Sequence, residues 1–197
     1  MEADRGPTDR DLVRALRRGD GSAVEMLIAR YADRLHAFCH RNLGLLGVPA
    51  AEVDDVFQET WLRVIRYADR YDPARSFPTW LFSIAVNLCR DARRRRRIEV
   101  GGEADAGGTE RPPEAAEVPE AFARLSDRER QAAVEGILRR LPDPMREVLT
   151  LRFYEDMDLA EIAATTGTPV GTVKSRLFYA IRRIRELAGE ARLAEHA

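Results

Sequence analysis

Lysine is almost missing from this chain: Lys174 is the only one among 32 basic residues, and the rest are arginine. Cysteine is nearly as scarce. Cys39 and Cys89 stand far apart in a chain that carries no secretory signal, so two free, buried thiols are expected rather than a disulfide. No apolar run approaches the roughly 18 residues that a membrane helix needs, and the N-terminus lacks a charged-then-apolar leader, which points to a cytoplasmic protein. There are three histidines. His36, Cys39 and His40 fall within one helical turn, but no fourth ligand accompanies them and His196 lies in the tail, so neither metal nor cofactor is expected. Convergent carboxylates of the kind a hydrolase requires are also missing, because the acids either cap helices or share one helix face; no catalytic residue and no small-molecule substrate are expected. Strand signals and internal repeats are absent, which leaves an all-α fold.

A net charge of −1 argues against a generally basic nucleic-acid binder, yet the average conceals segregation. Residues 1–97 carry 18 Arg against 14 acids, residues 98–120 one Arg against seven, and residues 121–197 thirteen cations against twelve. Two neutral-to-basic blocks are thus separated by an acidic stretch, IEVGGEADAGGTERPPEAAEVPE, with almost nothing to bury. The expected organisation is two small helical domains, 8–97 and 121–190, joined by a flexible acidic linker over 98–120.

The most structured stretch runs from Asp158 to Leu187. Asp158 with Glu161 forms a capping-box pattern, Gly167 supplies the permissive backbone of a tight turn, and Thr168-Pro169 marks the N-cap and first position of a second helix. In that helix Val170, Val173, Leu177, Ile181 and Ile184 recur at spacings of three and four, making one inward stripe. Thr172, Ser175, Tyr179, Arg182 and Arg183 fall opposite the stripe, with Lys174, Arg176 and Phe178 flanking it. Five cations and no acid occur from Thr168 to Arg185. This is the pattern of a helix-turn-helix whose second helix enters the major groove.

Upstream, Thr8 with Asp11 and Ser22 with Glu25 each mark a helix start, and a loop containing Gly44, Gly47 and Pro49 ends the second helix near Asn42. A third helix from about Ala50 to Ala68 turns Val53, Val56, Phe57, Thr60, Trp61, Val64 and Ile65 inward. Asp54, Asp55, Gln58 and Glu59 occupy the first half of its other face, Arg63 and Arg66 the second. A fourth begins near Pro78, turns Trp80, Leu81, Ile84, Ala85 and Leu88 inward, and ends in Arg93 to Arg97, an electrostatic footprint for nucleic acid. Ser126 with Glu129 and then Asp143-Pro144 start two further helices, which gives four helices to each half.

In order and spacing these stretches resemble the extracytoplasmic-function (ECF) sigma factors of the sigma-70 family. VDDVFQETWLRVIRYADRYD resembles the region 2 polymerase-binding helix, FPTWLFSIAVNLCRDARRRRR the −10 element reader, and LPDPMREVLTLRFYEDMDLAEIAATTGTPVGTVKSRLFYAIRRIREL region 4. The resemblance implies a factor that binds core RNA polymerase, through the β′ clamp coiled coil and the β flap, and directs it to promoter DNA. It implies core-polymerase contacts at Asp54, Asp55, Gln58, Glu59 and Arg63. It implies −10 contacts at Ser76, Phe77, Trp80, Asn87, Arg90, Arg93 and Arg94, with the loop before the helix capturing an extruded base. It implies −35 contacts at Thr172, Lys174, Ser175, Arg176, Phe178 and Tyr179. An anti-sigma factor is an implied partner. Trp80 also lies on the inward stripe, so a purely structural role stays open for it. The competing reading is a dimeric helix-turn-helix regulator, which leaves the arginine run and the acidic linker without a role.

Overall fold

The computed structural model describes residues 6–100 and 134–194, and for residue 100 and residues 188–194 the helical backbone alone. The N-terminal half comprises α1 (Asp9–Arg17), α2 (Gly21–Asn42), α3 (Ala50–Arg66) and α4 (Phe77–Val100), with 3-10 turns at Gly44–Leu46 and Ala68–Arg70. The C-terminal half comprises α5, described over 134–139, α6 (Asp143–Phe153), α7 (Leu159–Thr166) and α8 (Val170–Ala194). The described residues contain no strand.

Local chemistry sets the helix ends. Thr8 and Asp11 form a reciprocal capping box on α1, and Asp158 and Glu161 another on α7. Gly167 closes α7 with φ +66°, a left-handed conformation that a residue with a Cβ adopts at a cost. Three expected boundaries move. The cap of α2 is Asp20, two residues ahead of the expected Ser22, and its carboxylate accepts from the Ser22 amide at 3.0 Å. Helix α8 starts at Val170 and not at Pro169; the Thr168 hydroxyl pairs with that of Thr166 at 2.8 Å. Helix α4 continues through Ile98 to Val100, so the first three residues of the expected linker are helical; its remaining residues and the Ser126–Glu129 cap lie outside the described residues.

Helix α2 is the axis of the N-terminal half, its Leu27, Leu35, Phe38 and Cys39 fully buried among α1, α3 and α4. Phe38 meets Phe82 edge-on at 5.3 Å, and Tyr31, Tyr71, Phe77 and Trp80 make a second aromatic group where α4 begins. The same buried cluster continues without a break into Val148, Leu151, Met157, Ile162 and Val173 of the other half. Helix α7 packs across α4, and α6 against α2. The junction also places Leu45 among Leu138, Leu141, Leu149 and Ala180, with Arg139 Nε donating to the Leu45 carbonyl at 2.9 Å. The two helical halves therefore pack together over one apolar interior.

Two expected core positions are exposed and one unexpected position is buried. Ile65 is 46% exposed and Val170 40% exposed, while Ala180 takes a buried place on the α8 stripe. Stripes drawn at ideal helical spacing run off a contact surface at the ends of a helix, where no neighbour remains to cover them. Nothing lies within 4 Å of a Cβ built on Gly167, so its substitution tests the backbone alone. Gly167→Ala is expected to lower unfolding free energy by about 1 kcal/mol in denaturant titration, and Gly167→Asn, which tolerates the left-handed region, by less.

Candidate nucleic-acid and polymerase interface

On α3 the polar face is laid out as expected. Asp55 and Gln58 are exposed, the Asp54 carboxylate accepts from His36 Nε2 at 3.1 Å, and Glu59 is held by Arg63 Nε at 2.8 Å in an i,i+4 pair. Between these groups stand Leu62, 53% exposed, and Ile65. By helical angle they continue the sector of Asp54, Asp55 and Gln58 into the last turns of α3, so the acidic half of the face gives way to an apolar patch beside Arg63 and Arg66. Sequence periodicity turned Ile65 inward and passed over Leu62; the signal available was the run of four apolar positions, Trp61, Leu62, Val64 and Ile65, too wide for a single buried stripe.

The α4 set divides into an outward and an inward part. Asn87 and Arg94 are exposed, Ser76 is exposed and Trp80 half-buried, whereas Phe77 is 1% exposed. Phe77 is enclosed by Tyr31, Tyr71 and Trp80, so its ring serves the core of the loop and not its surface. Ser76 accepts from the Thr79 amide at 3.3 Å, starting the helix, and reaches Glu161 Oε1 at 3.3 Å across the junction. The arginine run is not uniform. Arg93 is 6% exposed, Arg94 pairs with Asp91 one turn back at 2.9 Å, Arg96 donates to the Gly47 carbonyl at 2.9 Å, and Arg97 pairs with Asp143.

Arg90 and Arg93 converge on one carboxylate from the other half. Arg90 forks onto Glu147, its Nη2 at 2.8 Å and Nε at 3.1 Å, and its Nη1 donates to the Thr166 carbonyl at 3.0 Å. Arg93 takes the second oxygen of Glu147, bonds Asp143 at 3.0 Å and donates to the Asn42 carbonyl. Glu147 is 2% exposed. Behind it Arg146, 1% exposed, is held by Asp143 and by the Leu138 and Leu141 carbonyls, and burial pulls its guanidinium below the usual arginine range.

On α8 the positions expected to read DNA flank a buried line of Val173, Leu177 and Ala180. Lys174 is exposed; Thr172, Ser175, Phe178 and Tyr179 are half-exposed, with Phe178 and Tyr179 edge-on at 5.4 Å. Ser175 returns its hydroxyl to the Gly171 carbonyl at 3.0 Å. Arg176 turns toward the junction, where its Nη1 is buried without a hydrogen-bond partner and burial lowers its pKa. A cavity of about 550 Å³ lies here, lined by Arg90, Arg94, Arg97, Arg176, Asp143 and Glu147 among others. Residues expected to contact the −10 and −35 elements thus line a single space.

A second polar bridge lies outside both reading sets. Arg34 Nε on α2 meets Glu155 Oε2 at 3.0 Å, beyond the end of α6. Burial pushes the Glu155 carboxyl up to about 7, against the opposing pull of Arg34 and Arg41 and with a small push from Asp156. The thiols of Cys39 and Cys89 are neighbours in the core. The Cys39 thiol and burial together raise Cys89 well above its ordinary value, so it is an unreactive thiol. His36, Cys39 and His40 do not converge: His36 faces Asp54, Cys39 faces Cys89, and His40 lies against Gly44.

Comparison with known proteins decides what these surfaces belong to. The family model for Sigma-70 region 2 matches residues 27–98, and that for Sigma-70 region 4 matches residues 137–186. The chain belongs to the ECF sigma factors. It is 32% identical over 177 residues to the ECF RNA polymerase sigma-E factor of Escherichia coli strain K12, covering 88% of this chain and 90% of that one. It is 29% identical over 169 residues to the ECF sigma factor SigW of Bacillus subtilis, covering 84% and 88%. Among solved structures it is similar to CnrH in complex with the cytosolic domain of CnrY, with a TM-score of 0.67 at 28% identity over 92% of this chain and 97% of that one. It shares its fold with the sigma factor RpoE of Bartonella quintana, solved with the anti-sigma factor NepR, at TM-score 0.61, 21% identity and coverage of 83% and 94%. The two regions and the named relatives make this a promoter-directing sigma factor and remove the dimeric regulator as a reading. The family consists of transcription initiation factors, not known enzymes. No helix among the described residues is long and apolar enough to cross a membrane.

The Glu155 site gives a pH dependence whose sign is fixed. A carboxyl raised from 4.5 to about 7 on folding binds its proton more tightly in the folded chain, so its contribution to stability is complete below 4.5 and is lost as pH rises through 7. Between pH 8 and pH 6 the free protein is expected to gain about 1 kcal/mol in denaturant titration. Glu155→Gln should flatten that slope.

Proposed function

We propose that this ECF sigma factor grips its promoter at two ends from one polymerase-bound chain, with units 8–97 and 121–190 joined by the acidic stretch 98–120. Asp54, Asp55, Gln58, Glu59 and Arg63 on α3 dock on the β′ clamp coiled coil, with Leu62 and Ile65 as the apolar part of the contact. The C-terminal unit meets the β flap. Asn87, Arg90, Arg93 and Arg94 on α4 hold the −10 strand, Ser76 and Trp80 bound the pocket that takes an extruded base, and Phe77 supports the loop from beneath. Thr172, Lys174, Ser175, Arg176, Phe178 and Tyr179 on α8 read the −35 element in the major groove.

The observation that carries this reading is the presence, in one chain, of a glycine-turned helix-turn-helix with a cationic face and of a separate helix, α4, that carries five consecutive arginines near its C-terminal end. The two basic patches suit different work. Duplex opening costs a few kcal/mol per unstacked step, which base capture at the −10 end offsets, while the −35 end anchors. The acidic stretch threads toward the polymerase active-site channel, where its charge resembles that of nucleic acid. An anti-sigma factor holds the protein in the cytoplasm until a signal releases it, as supported by the likeness to CnrH, which was solved with CnrY.

Addition of the purified protein to sigma-free core polymerase on a genomic fragment library, followed by transcript sequencing, should yield discrete starts sharing −35 and −10 elements. DNA binding by the protein alone, with no initiation, would overturn the reading. Leu62→Ser should weaken core-polymerase binding about tenfold while leaving the fold intact, since the side chain is already exposed. Arg176→Ala should reduce −35-dependent initiation with polymerase binding unchanged, and Asn87→Ala should reduce permanganate reactivity of the melted strand more than −35 binding.

A further inference from the structure

We infer that the cavity between the C-terminal part of α4, the start of α6 and the turn into α8 is a binding site for a small soluble ligand, a nucleoside polyphosphate. The inference rests on the lining of that cavity and not on the promoter contacts assigned to some of the same side chains.

Charge is the first argument. Five guanidinium groups, those of Arg90, Arg93, Arg94, Arg97 and Arg176, line a space of about 550 Å³ with only two carboxylates, Asp143 and Glu147, which leaves three positive charges in excess. Both acids are already engaged: Glu147 holds Arg90 and Arg93, and Asp143 holds Arg93, Arg97 and Arg146. Arg94 has a surface pair with Asp91 of its own helix, an interaction that solvent weakens. Arg176 is worse provided for, because its Nη1 is buried with no hydrogen-bond partner. A buried donor left unmet costs more than a typical hydrogen bond contributes. Burial first, and then the like charge of Arg90, pull the Arg176 pKa down against the attraction of Glu147. A polyphosphate in the cavity supplies Nη1 with an acceptor and neutralises the gathered cations, through the two-pronged contacts that guanidinium groups make with phosphate oxygens.

Size and the rest of the lining extend the ligand beyond its phosphates. The cavity lies in the range of about 300–1,000 Å³ typical of sites for whole small molecules, larger than an inorganic phosphate fills. Ile98, Pro142 and Pro144 form an apolar wall, and Ile98 is 75% exposed, an aliphatic side chain that nothing in the fold covers. Such a wall suits the face of a nucleobase. The turn into α8 contributes a third chemistry. Thr166 gives its hydroxyl proton to the Ile162 carbonyl at 2.7 Å, so the 2.8 Å bond between the Thr166 and Thr168 hydroxyls uses the Thr168 proton. The Thr168 oxygen is thereby left as an acceptor at the cavity, suited to a ribose hydroxyl and not to a phosphate. Donors for phosphate, an acceptor for sugar and an apolar seat for a base thus line one space.

The test is calorimetric titration of the full-length protein, in magnesium-free buffer, with the four ribonucleoside triphosphates, inorganic triphosphate and adenosine. At least one nucleotide should bind at one site per chain and about tenfold more tightly than inorganic triphosphate, with no measurable binding of adenosine. Arg176→Gln and Arg94→Gln should each weaken nucleotide and inorganic triphosphate alike, by about tenfold. Ile98→Ser should weaken the nucleotide and leave inorganic triphosphate unchanged. Arg95→Gln, which removes the same charge from the same arginine run but from a residue that does not line the cavity, should change neither. Arg94 and Ile98 are exposed, so their variants keep the test decisive if Arg176→Gln proves unstable in thermal unfolding. Three results would each overturn the site: no nucleotide binding, inorganic triphosphate binding as tightly as every nucleotide, or a loss on Arg95→Gln equal to that on Arg94→Gln, which is the mark of diffuse attraction. Initiation with core polymerase stands or falls without moving these affinities, so the two assignments fail separately.

Discussion

A carboxylate with 2% of its surface exposed, held between two guanidinium groups, is the constraint around which the two halves are arranged. Burying an ion costs several kcal/mol, recovered only when partners are well placed and every remaining lone pair is used. Glu147 meets that condition through two nitrogens of Arg90 on one side and one of Arg93 on the other, while Asp143 bridges Arg93, Arg97 and Arg146 in the next layer. Removing a single member leaves an uncompensated charge, which typically costs about 3–5 kcal/mol. The apolar residues common to both halves bring them together without strong directional preference. The ionic layer fixes which face of α4 meets which end of α6.

This arrangement explains why adjacent arginines of identical chemistry have different fates. Arg93 and Arg94 are neighbours in the run, yet one is 6% exposed and tied to the C-terminal half, while the other is exposed and paired with Asp91 of its own helix. A helix separates successive residues by about 100°, and only one of those directions faces α6. The run is therefore two things at once: an outward cationic edge, and a row of donors that acids from another element satisfy.

What the sequence made legible was mostly local. The capping boxes of α1 and α7, the turn at Gly167 and the acidic face of α3 depend on residues within four positions of one another, and a short window contains all of that information. Family resemblance placed the two blocks that the family models match, at 27–98 and 137–186. The burial of Phe77 was not legible, because it depends on Tyr31 arriving from α2 and Tyr71 from the preceding loop. Nor was the exposure of Leu62 and Ile65, since an apolar side chain left uncovered looks in sequence like one that is covered. The acidic partner of Arg90 lies 57 positions away, and nothing short of the packed fold connects them.

The near-absence of lysine acquires a chemical meaning once Lys174 is placed on the reading helix, exposed and beside Ser175 and Arg176. It carries the only side-chain amine in the molecule. Reagents and enzymes that acylate amines, which on most DNA-binding proteins scatter over many lysines, have here one side-chain address, on the surface expected to enter the groove. Neutralising that amine would remove one charge from the reading face while leaving every guanidinium of the fold untouched.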